Sequence, residues 1–246
     1  ETLYAENSTN TVVANNLASL IASNHDDAAS LARAETIARR LRDEQEPAFQ
    51  ETYGWIAFRN GNLDEAVNEG VRRGYEKAYL RKSITADPLQ RVNTGDNTPA
   101  FLTVHLVPGD VCKITVAPKG AGSENMSRLT MLKPADGVQG VKDFVMETVK
   151  QAGANPCPPI VLGIGIGGTP EKATLLAKES LMSHIDIQEL KEKADSGAEL
   201  STVEALRLEL FEKVNALGIG AQGLGGLTTV LDVKILDYPT HAASKP

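Results

Sequence analysis

The sequence predicts an α+β fold in which mixed helices accompany a small sheet. Three observations support this class. Apolar residues recur at helical spacing in several separate segments of the 246-residue chain. Two neighbouring segments alternate apolar and polar residues as paired strands do, and two apolar segments next to glycines have the composition of buried strands. No low-complexity linker divides the chain, so we expect one domain.

The N-terminal part is predicted to be mainly helical. Residues 13–21 and 31–41 each place apolar side chains at helical spacing. We expect Pro47 to end the second of these helices, and residues 50–58, which include the only tryptophan, to form a short strand. A polar-rich helix is predicted for residues 63–80. A loop follows from Thr85 to Ala100, where prolines and turn-forming residues replace periodicity.

A β-hairpin is predicted next. Residues 102–106 and 112–116 alternate apolar and polar side chains, and Pro108-Gly109-Asp110 between them has turn composition. This alternation places Cys112 on the apolar face as a small buried hydrophobe and His105 on the polar face.

The remaining elements alternate between helix and strand. A helix over residues 138–149 is closed by Gly153, and residues 160–168 form an apolar, glycine-rich strand. Thr169-Pro170-Glu171 is an N-cap, a proline and an early acid, which together predict the start of another helix. Residues 203–217 predict a further amphipathic helix, and residues 227–236 a second buried strand.

Composition narrows the class of protein. Lys and Arg number 25 against 32 Asp and Glu, which gives a net charge of −7 and disfavours a nucleic-acid or anionic-membrane surface. Two cysteines cannot form a disulfide framework, which indicates a reducing compartment. No apolar run is long enough to span a membrane, and the first residues do not resemble a signal peptide. We therefore expect a cytoplasmic protein with no nucleic-acid or membrane partner.

The glycine-rich segment 163–168 fits the GxGxxG pattern of dinucleotide-binding proteins, between a predicted strand and a predicted helix. Residues 218–223 fit the same pattern in a different context, and the acid expected after a second strand is missing. A nucleotide-binding module is therefore a weak hypothesis. The physical feature that remains is the start of the helix at Thr169, where backbone amides can hold an anion.

Two further segments have candidate chemistry. Residues 119–125 combine flexible glycines with a cation, a hydroxyl and an amide, so this loop could wrap an anionic ligand or be an ordinary surface turn. Cys157 lies between Pro156 and the pair Pro158-Pro159, which fix the neighbouring backbone. It could be a presented thiolate ligand or an inert loop thiol, and the residues alone leave both readings open.

Several long motifs in order resemble the class I fumarase and L-tartrate dehydratase family, specifically its α subunit or N-terminal domain. The motifs that carry the resemblance are residues 93–99, 117–129, 155–159, 163–169, 218–227 and 240–244. The resemblance covers nearly the whole chain and is weakest before Leu63. It implies a single iron–sulfur hydro-lyase α-type domain over residues 1–246, cut off at its C-terminal end.

The resemblance also implies a reaction and a cofactor. Members of the family add or remove water on a small dicarboxylate, using a 4Fe–4S cluster that three cysteines hold, with one iron open as a Lewis acid. Cys157 matches the second of these cysteines, and Gly122 a backbone contact to the substrate. His241 matches an active-site histidine, and Arg81 matches the arginine that binds a substrate carboxylate.

This sequence departs from the family pattern at two cluster ligands. Where the family has the first cysteine, the chain has Phe49, followed by Gln50 and Glu51, which could keep the substrate contacts of the family's Gln and Asp. The third cysteine normally follows the histidine motif closely, but the chain stops at Pro246. The family's catalytic base belongs to a β subunit or C-terminal β domain, so we expect a β partner and a dimer of αβ units. The alternative is a cluster-deficient paralogue that acts as a non-catalytic binding or structural subunit.

Overall fold

The computed structural model describes residues 1–44, 46–109 and 112–246 and divides the chain into two compact units, Glu1–Gly109 and Asp110–Pro246. Each unit has its own hydrophobic core. In both units the elements that build the core are those whose apolar residues recur at the spacing of a helix or strand.

The first unit is helical in the part that forms its core. Its helices are α1 (Thr2–Glu6), α2 (Thr11–Asn24), α3 (Ala28–Ala38), α4 (Pro47–Arg59) and α5 (Leu63–Lys77). The side chain of Asn10 accepts hydrogen bonds from two amides at the start of α2, and that of Asp27 accepts one at the start of α3. Small buried alanines on both helices let α2, α3 and α4 pack closely. The helices predicted over residues 13–21, 31–41 and 63–80 are thus confirmed.

The strand predicted for residues 50–58 is wrong, because this segment belongs to helix α4. Pro47 occupies the first turn of that helix, where no N–H is needed, and so begins a helix rather than ending the preceding one. The buried residues Tyr53, Ile56 and Ala57 recur at helical spacing, and Tyr53 and Ile56 belong to the first core. Burial of this helical face outweighs the strand preference of the aromatic residues in the segment.

The hairpin predicted for residues 102–106 and 112–116 is also wrong. The described residues there form neither helix nor strand and leave their apolar side chains exposed, with Leu106 97% and Ile114 73% exposed. Cys112 is exposed rather than buried, and His105 is exposed. Asp110 and Val111, the end of the predicted turn and the start of the second strand, lie outside the described residues. A two-stranded hairpin is stable only when something covers its apolar face.

The second unit contains a two-stranded parallel sheet and four α-helices among its described residues. Strands β1 (Ile160–Gly167) and β2 (Val230–Tyr238) pair in parallel, with Ile164 opposite Ile235. The helices are α6 (Gly137–Ala152), α7 (Pro170–Ser180), α8 (Ile187–Asp195) and α9 (Thr202–Asn215). The buried residues of α6, α9 and β2 form the second core, against which the isoleucines and leucine of β1 pack. These elements confirm the predicted helices at 138–149 and 203–217 and the two predicted strands.

The glycines of β1 explain how α7 reaches the sheet. A Cβ atom at Gly165 would lie 1.9 Å from the carbonyl oxygen of Ala173, and one at Gly163 would lie 2.2 Å from that of Ala177. Because side chains alternate along a strand, these glycines face α7, while Leu162 and the isoleucines of β1 belong to the second core. Close helix–strand packing therefore accounts for the first two of the three glycines in the GxGxxG pattern without a bound nucleotide.

No helix among the described residues is long and apolar enough to cross a membrane.

Candidate active site

The six residues predicted to form the site are divided between the two units. The first unit contains Gln50, Glu51 and Arg81, and the second contains Gly122, Cys157 and His241. Among the described residues of either unit, no hydrogen bond or ion pair joins two of these residues. Each is therefore placed by its own neighbours.

Gln50 and Glu51 lie side by side on α4 but face different surroundings. Gln50 is 7% exposed, and its Nε2 donates to the carbonyl oxygen of Glu44 at 2.9 Å, so the amide anchors the start of the helix. Glu51 is exposed, and Nη2 of Arg73 on α5 lies 3.5 Å from its carboxylate. Consecutive helical residues are rotated by about 100°. Only Glu51 thus presents its side chain to solvent, where a substrate could reach it.

Phe49 occupies the position that matches the family's first cluster cysteine. It lies on α4 beside Gln50 and packs, partly buried, against the hydrophobic core of the first unit. A carbon-only ring cannot bind iron, and here it contributes buried apolar surface instead.

Arg81 follows the end of α5 in a segment without helix or strand. It is exposed, and the next residues are held by the loop containing Asn97. The side-chain oxygen of Asn97 accepts from the backbone N–H of Ser83 at 2.7 Å and from that of Ile84 at 3.2 Å. The predicted loop over residues 85–100 is confirmed, with one antiparallel bridge between Thr85 and Asn93.

His241 lines a cavity of about 560 Å³ at the carboxyl ends of the two parallel strands. The cavity is bordered by the residues that follow β1, the first turn of α7 and the residues that follow β2, which include Gly168, Thr169, Pro170, Lys172, Tyr238, Pro239, Thr240 and Ser244. The carboxyl ends of parallel strands are the common position for a ligand in open α/β sheets.

The His241 ring has a defined hydrogen-bond partner. Its Nδ1 accepts from the backbone N–H of Ala243 at 3.1 Å, so a neutral ring carries its proton on Nε2. The hydroxyl of Thr240 donates to the carbonyl oxygen of Gly168 at 3.1 Å, which ties the histidine segment to the residue that follows β1. His241 is therefore a hydrogen-bond donor held at the border of the cavity.

Positive charge lies beside His241. Nζ of Lys172 lies 5.1 Å from the ring centre of Tyr238, and both residues border the cavity. The N-terminal end of α7 borders the cavity, and the positive end of the helix dipole favours an anion there. Glu171 in the same turn carries a carboxylate whose pKa is lowered by a hydrogen bond from its own backbone N–H and by Thr169. Neither Lys172 nor Tyr238 belongs to a motif in the sequence, although each lies within three residues of a predicted element boundary.

Cys157 is presented by a constrained loop. Its φ is +56°, a left-handed conformation that costs a non-glycine residue about 1–2 kcal/mol, and its side chain is exposed. The backbone N–H of Gln222 donates to the carbonyl oxygen of Pro158 at 2.6 Å, which fastens the loop to the second glycine-rich segment. An exposed thiol in a constrained loop fits both readings, a thiolate ligand and an inert loop thiol, so the role of Cys157 as a ligand stays a prediction.

Gly122 lies in a loop that α7 holds by charge. Glu124, two residues later, pairs with Lys178 of α7 at 2.9 Å and with Lys119 at 3.7 Å. Burial would raise the pKa of the Glu124 carboxyl, but these two lysines outweigh it and lower the pKa. Lys178 lies near the C-terminal end of α7, whereas the His241 cavity lies at its N-terminal end.

The described residues supply few metal ligands. No three His, Cys, Asp or Glu side chains in the described part of the chain are close enough to hold a metal ion. Cys157 is the one cysteine among the family-matched positions, and Cys112 lies in the exposed segment that the hairpin prediction covered. The residues present therefore do not form a complete three-cysteine site for an iron–sulfur cluster.

Comparison with known proteins identifies similar sequences. Residues 47–246 match the family model described as Fumarate hydratase (Fumerase). The chain is 46% identical over 188 residues to the putative L(+)-tartrate dehydratase subunit alpha of Methanocaldococcus jannaschii, which covers 74% of this chain and 62% of that protein. It is 35% identical over 188 residues to the L(+)-tartrate dehydratase subunit alpha of Escherichia coli strain UTI89, covering 75% of this chain and 59% of that protein. The chain spans about three-fifths of the length of these curated relatives.

Proposed function

Because the chain belongs to the fumarate hydratase (Fumerase) family, we propose that it is an α-type subunit of a hydro-lyase. The proposed enzyme adds or removes water on a small dicarboxylate, either fumarate and malate or tartrate. The observation that carries the proposal is the cavity beside His241, which lies within the matched residues and combines a fixed histidine with the positive surroundings of Lys172.

The charges of the substrate fit these surroundings. One carboxylate of a dicarboxylate would bind beside Nζ of Lys172 and the positive N-terminal end of α7. His241 would donate from Nε2 to an oxygen of the substrate, because its Nδ1 already accepts from Ala243. Arg81, in the first unit, would bind a substrate carboxylate, a role that rests on the family resemblance alone, and its guanidinium can make two parallel hydrogen bonds to a carboxylate.

The cofactor belongs to the proposal as well. We assign Cys157 as one ligand of a 4Fe–4S cluster, supported by its exposed thiol and its constrained loop. The remaining ligands would have to come from outside this sequence, since Phe49 packs in the first core and cannot replace a cysteine. The relatives are described as alpha subunits, which supports a β partner, and we propose a dimer of αβ units in the cytoplasm.

A second candidate function is a cluster-deficient subunit without catalytic activity. Phe49 favours this function, because its ring packs against the hydrophobic core at the position where the family has a cluster cysteine.

One experiment separates the two. The full-length protein is prepared with its β partner without oxygen, and iron, acid-labile sulfide and hydration of fumarate are measured, together with dehydration of tartrate. The hydro-lyase proposal expects iron, sulfide and activity, and it expects His241→Gln to lower kcat by at least about a hundredfold. The matched control is His184→Gln, because His184 is an exposed histidine 3.8 Å from Glu189 and outside the cavity. Absence of iron and of both activities after reconstitution would favour the non-catalytic subunit.

A further inference from the structure

The segment that carries Arg81 takes its shape from another part of the chain. Residues 81–84 form no helix or strand, yet hydrogen bonds from residues 93–97 hold three of them. Besides the two bonds to the oxygen of Asn97, Nδ2 of Asn93 donates to the carbonyl oxygen of Lys82 at 3.1 Å. The N–H of Thr94 donates to the carbonyl oxygen of Ile84 at 3.0 Å.

Asn97 is suited to this task in two ways. Its φ is +64°, a left-handed conformation that asparagine tolerates better than most residues. It is 9% exposed, and its side-chain oxygen is the acceptor for the N–H groups of both Ser83 and Ile84. These amides come two and three residues after Arg81, so the asparagine fixes the backbone that follows the arginine.

The loop that holds this backbone is itself fixed to α5. Nε of Arg72 donates to the carboxylate of Asp96 at 3.1 Å, and Arg72 also pairs with Glu69, which is 2% exposed. The other oxygen of Asp96 accepts from the backbone N–H of Thr98 at 2.9 Å and from its hydroxyl at 2.8 Å. Burial alone would raise the pKa of Asp96, but Thr98 and Arg72 lower it to about 2. The carboxylate therefore stays charged at neutral pH.

We propose that Asn97 is a positioning residue for Arg81, which rests on the proposed function in which Arg81 binds a substrate carboxylate. An arginine loses side-chain and backbone freedom when it binds a carboxylate with two hydrogen bonds. A backbone already held by Asn97 loses less freedom at that moment, so substrate binds more tightly. The effect falls on substrate binding and leaves the later chemical steps unchanged.

The test compares variants of the full-length protein assembled with its β partner. Asn97→Gly keeps the left-handed backbone accessible and removes the side-chain acceptor. Asn97→Asp keeps the left-handed backbone and also a side-chain oxygen that can accept both hydrogen bonds. Asn97→Gly should raise KM for the dicarboxylate about tenfold with kcat within about twofold, because about one residue's backbone must then be ordered when the substrate binds. Asn97→Asp should restore KM to within about threefold of the wild type. Asn93→Ala, which removes the bond to Lys82, should raise KM by about threefold.

Arg81→Met and hydrogen exchange complete the experiment. Exchange measured by mass spectrometry should show the amides of Ser83 and Ile84 losing protection in Asn97→Gly and keeping it in Asn97→Asp. If both amides lose protection and Arg81→Met raises KM while Asn97→Gly does not, the positioning role is overturned and the proposed function stands. If Arg81→Met leaves KM unchanged, the substrate role of Arg81 is overturned, and the positioning role with it. If Asn97→Gly fails to fold, Asn93→Ala carries the same comparison.

Discussion

A single methyl group added at Gly165 should separate α7 from the sheet. The Cβ of alanine there would lie 1.9 Å from the carbonyl oxygen of Ala173 and 2.7 Å from the backbone nitrogen of Ala177. Ordinary contact begins at 3.4 Å, so the helix backbone and the strand would have to move apart by about 1.5 Å. Neither neighbour is a flexible side chain, so the strain cannot be relieved by a change of rotamer.

The expected loss of stability follows from the gaps that this movement would open in the packing of α7. Ala173 and Leu176 of α7 are buried, and lifting the helix would open gaps beside them. Overpacking a close-packed site costs about 1–3 kcal/mol and sometimes more. We expect Gly165→Ala to lower the free energy of unfolding by about 3 kcal/mol, since both contacts are with backbone atoms.

Urea unfolding measures this effect: the urea concentration at the midpoint of unfolding should fall, while the dependence of the free energy of unfolding on urea stays constant. Gly120→Ala is the matched control in the same unit, because a Cβ there meets nothing within 4 Å, and it should change stability by less than about 0.5 kcal/mol. If Gly165→Ala is as stable as this control, close packing does not explain the glycines of β1. Calorimetry with NAD and with ATP would then test the nucleotide-binding hypothesis directly.

Two further predictions concern charged groups. Lys234 is 4% exposed and lies 3.0 Å from the carboxylate of the fully buried Asp232, so Lys234→Met should destabilise the second unit by about 3 kcal/mol in thermal or urea unfolding. The exposed Lys213→Met is the control and should cost less than about 1 kcal/mol; equal losses would mean that burial does not matter here. The pKa of Asp96 is about 2 rather than 3.8, so the stability from its hydrogen bonds with Thr98 and its pairing with Arg72 is present above pH 3.8 and is lost as pH falls toward 2. Acid unfolding curves should show this loss in the wild type and a smaller loss in Asp96→Asn, and identical curves would contradict the assignment.

The candidate site was only partly predictable from sequence. The resemblance predicted His241 as a site residue, and Thr169-Pro170-Glu171 predicted the start of α7, which borders the same cavity. Both predictions rest on local sequence. Local sequence could not show that Gln50 is buried and bonded to Glu44, since that depends on which face of α4 meets the core. Lys172 could not be predicted as a site residue, because a lysine in the first turn of a helix belongs to no motif. Its position beside the cavity depends on the tertiary structure.

The sequence by itself determined the α+β class, most helices, both strands of the sheet and the family. Helix spacing, caps and apolar runs are local signals, and long motifs survive in order along the chain. Only the tertiary structure decided that residues 50–58 are helical and that residues 102–106 and 112–116 are not a hairpin. It also decided that the glycines of β1 serve contact with α7. Each of these outcomes depends on which surfaces find a partner, and residues distant in sequence provide that partner.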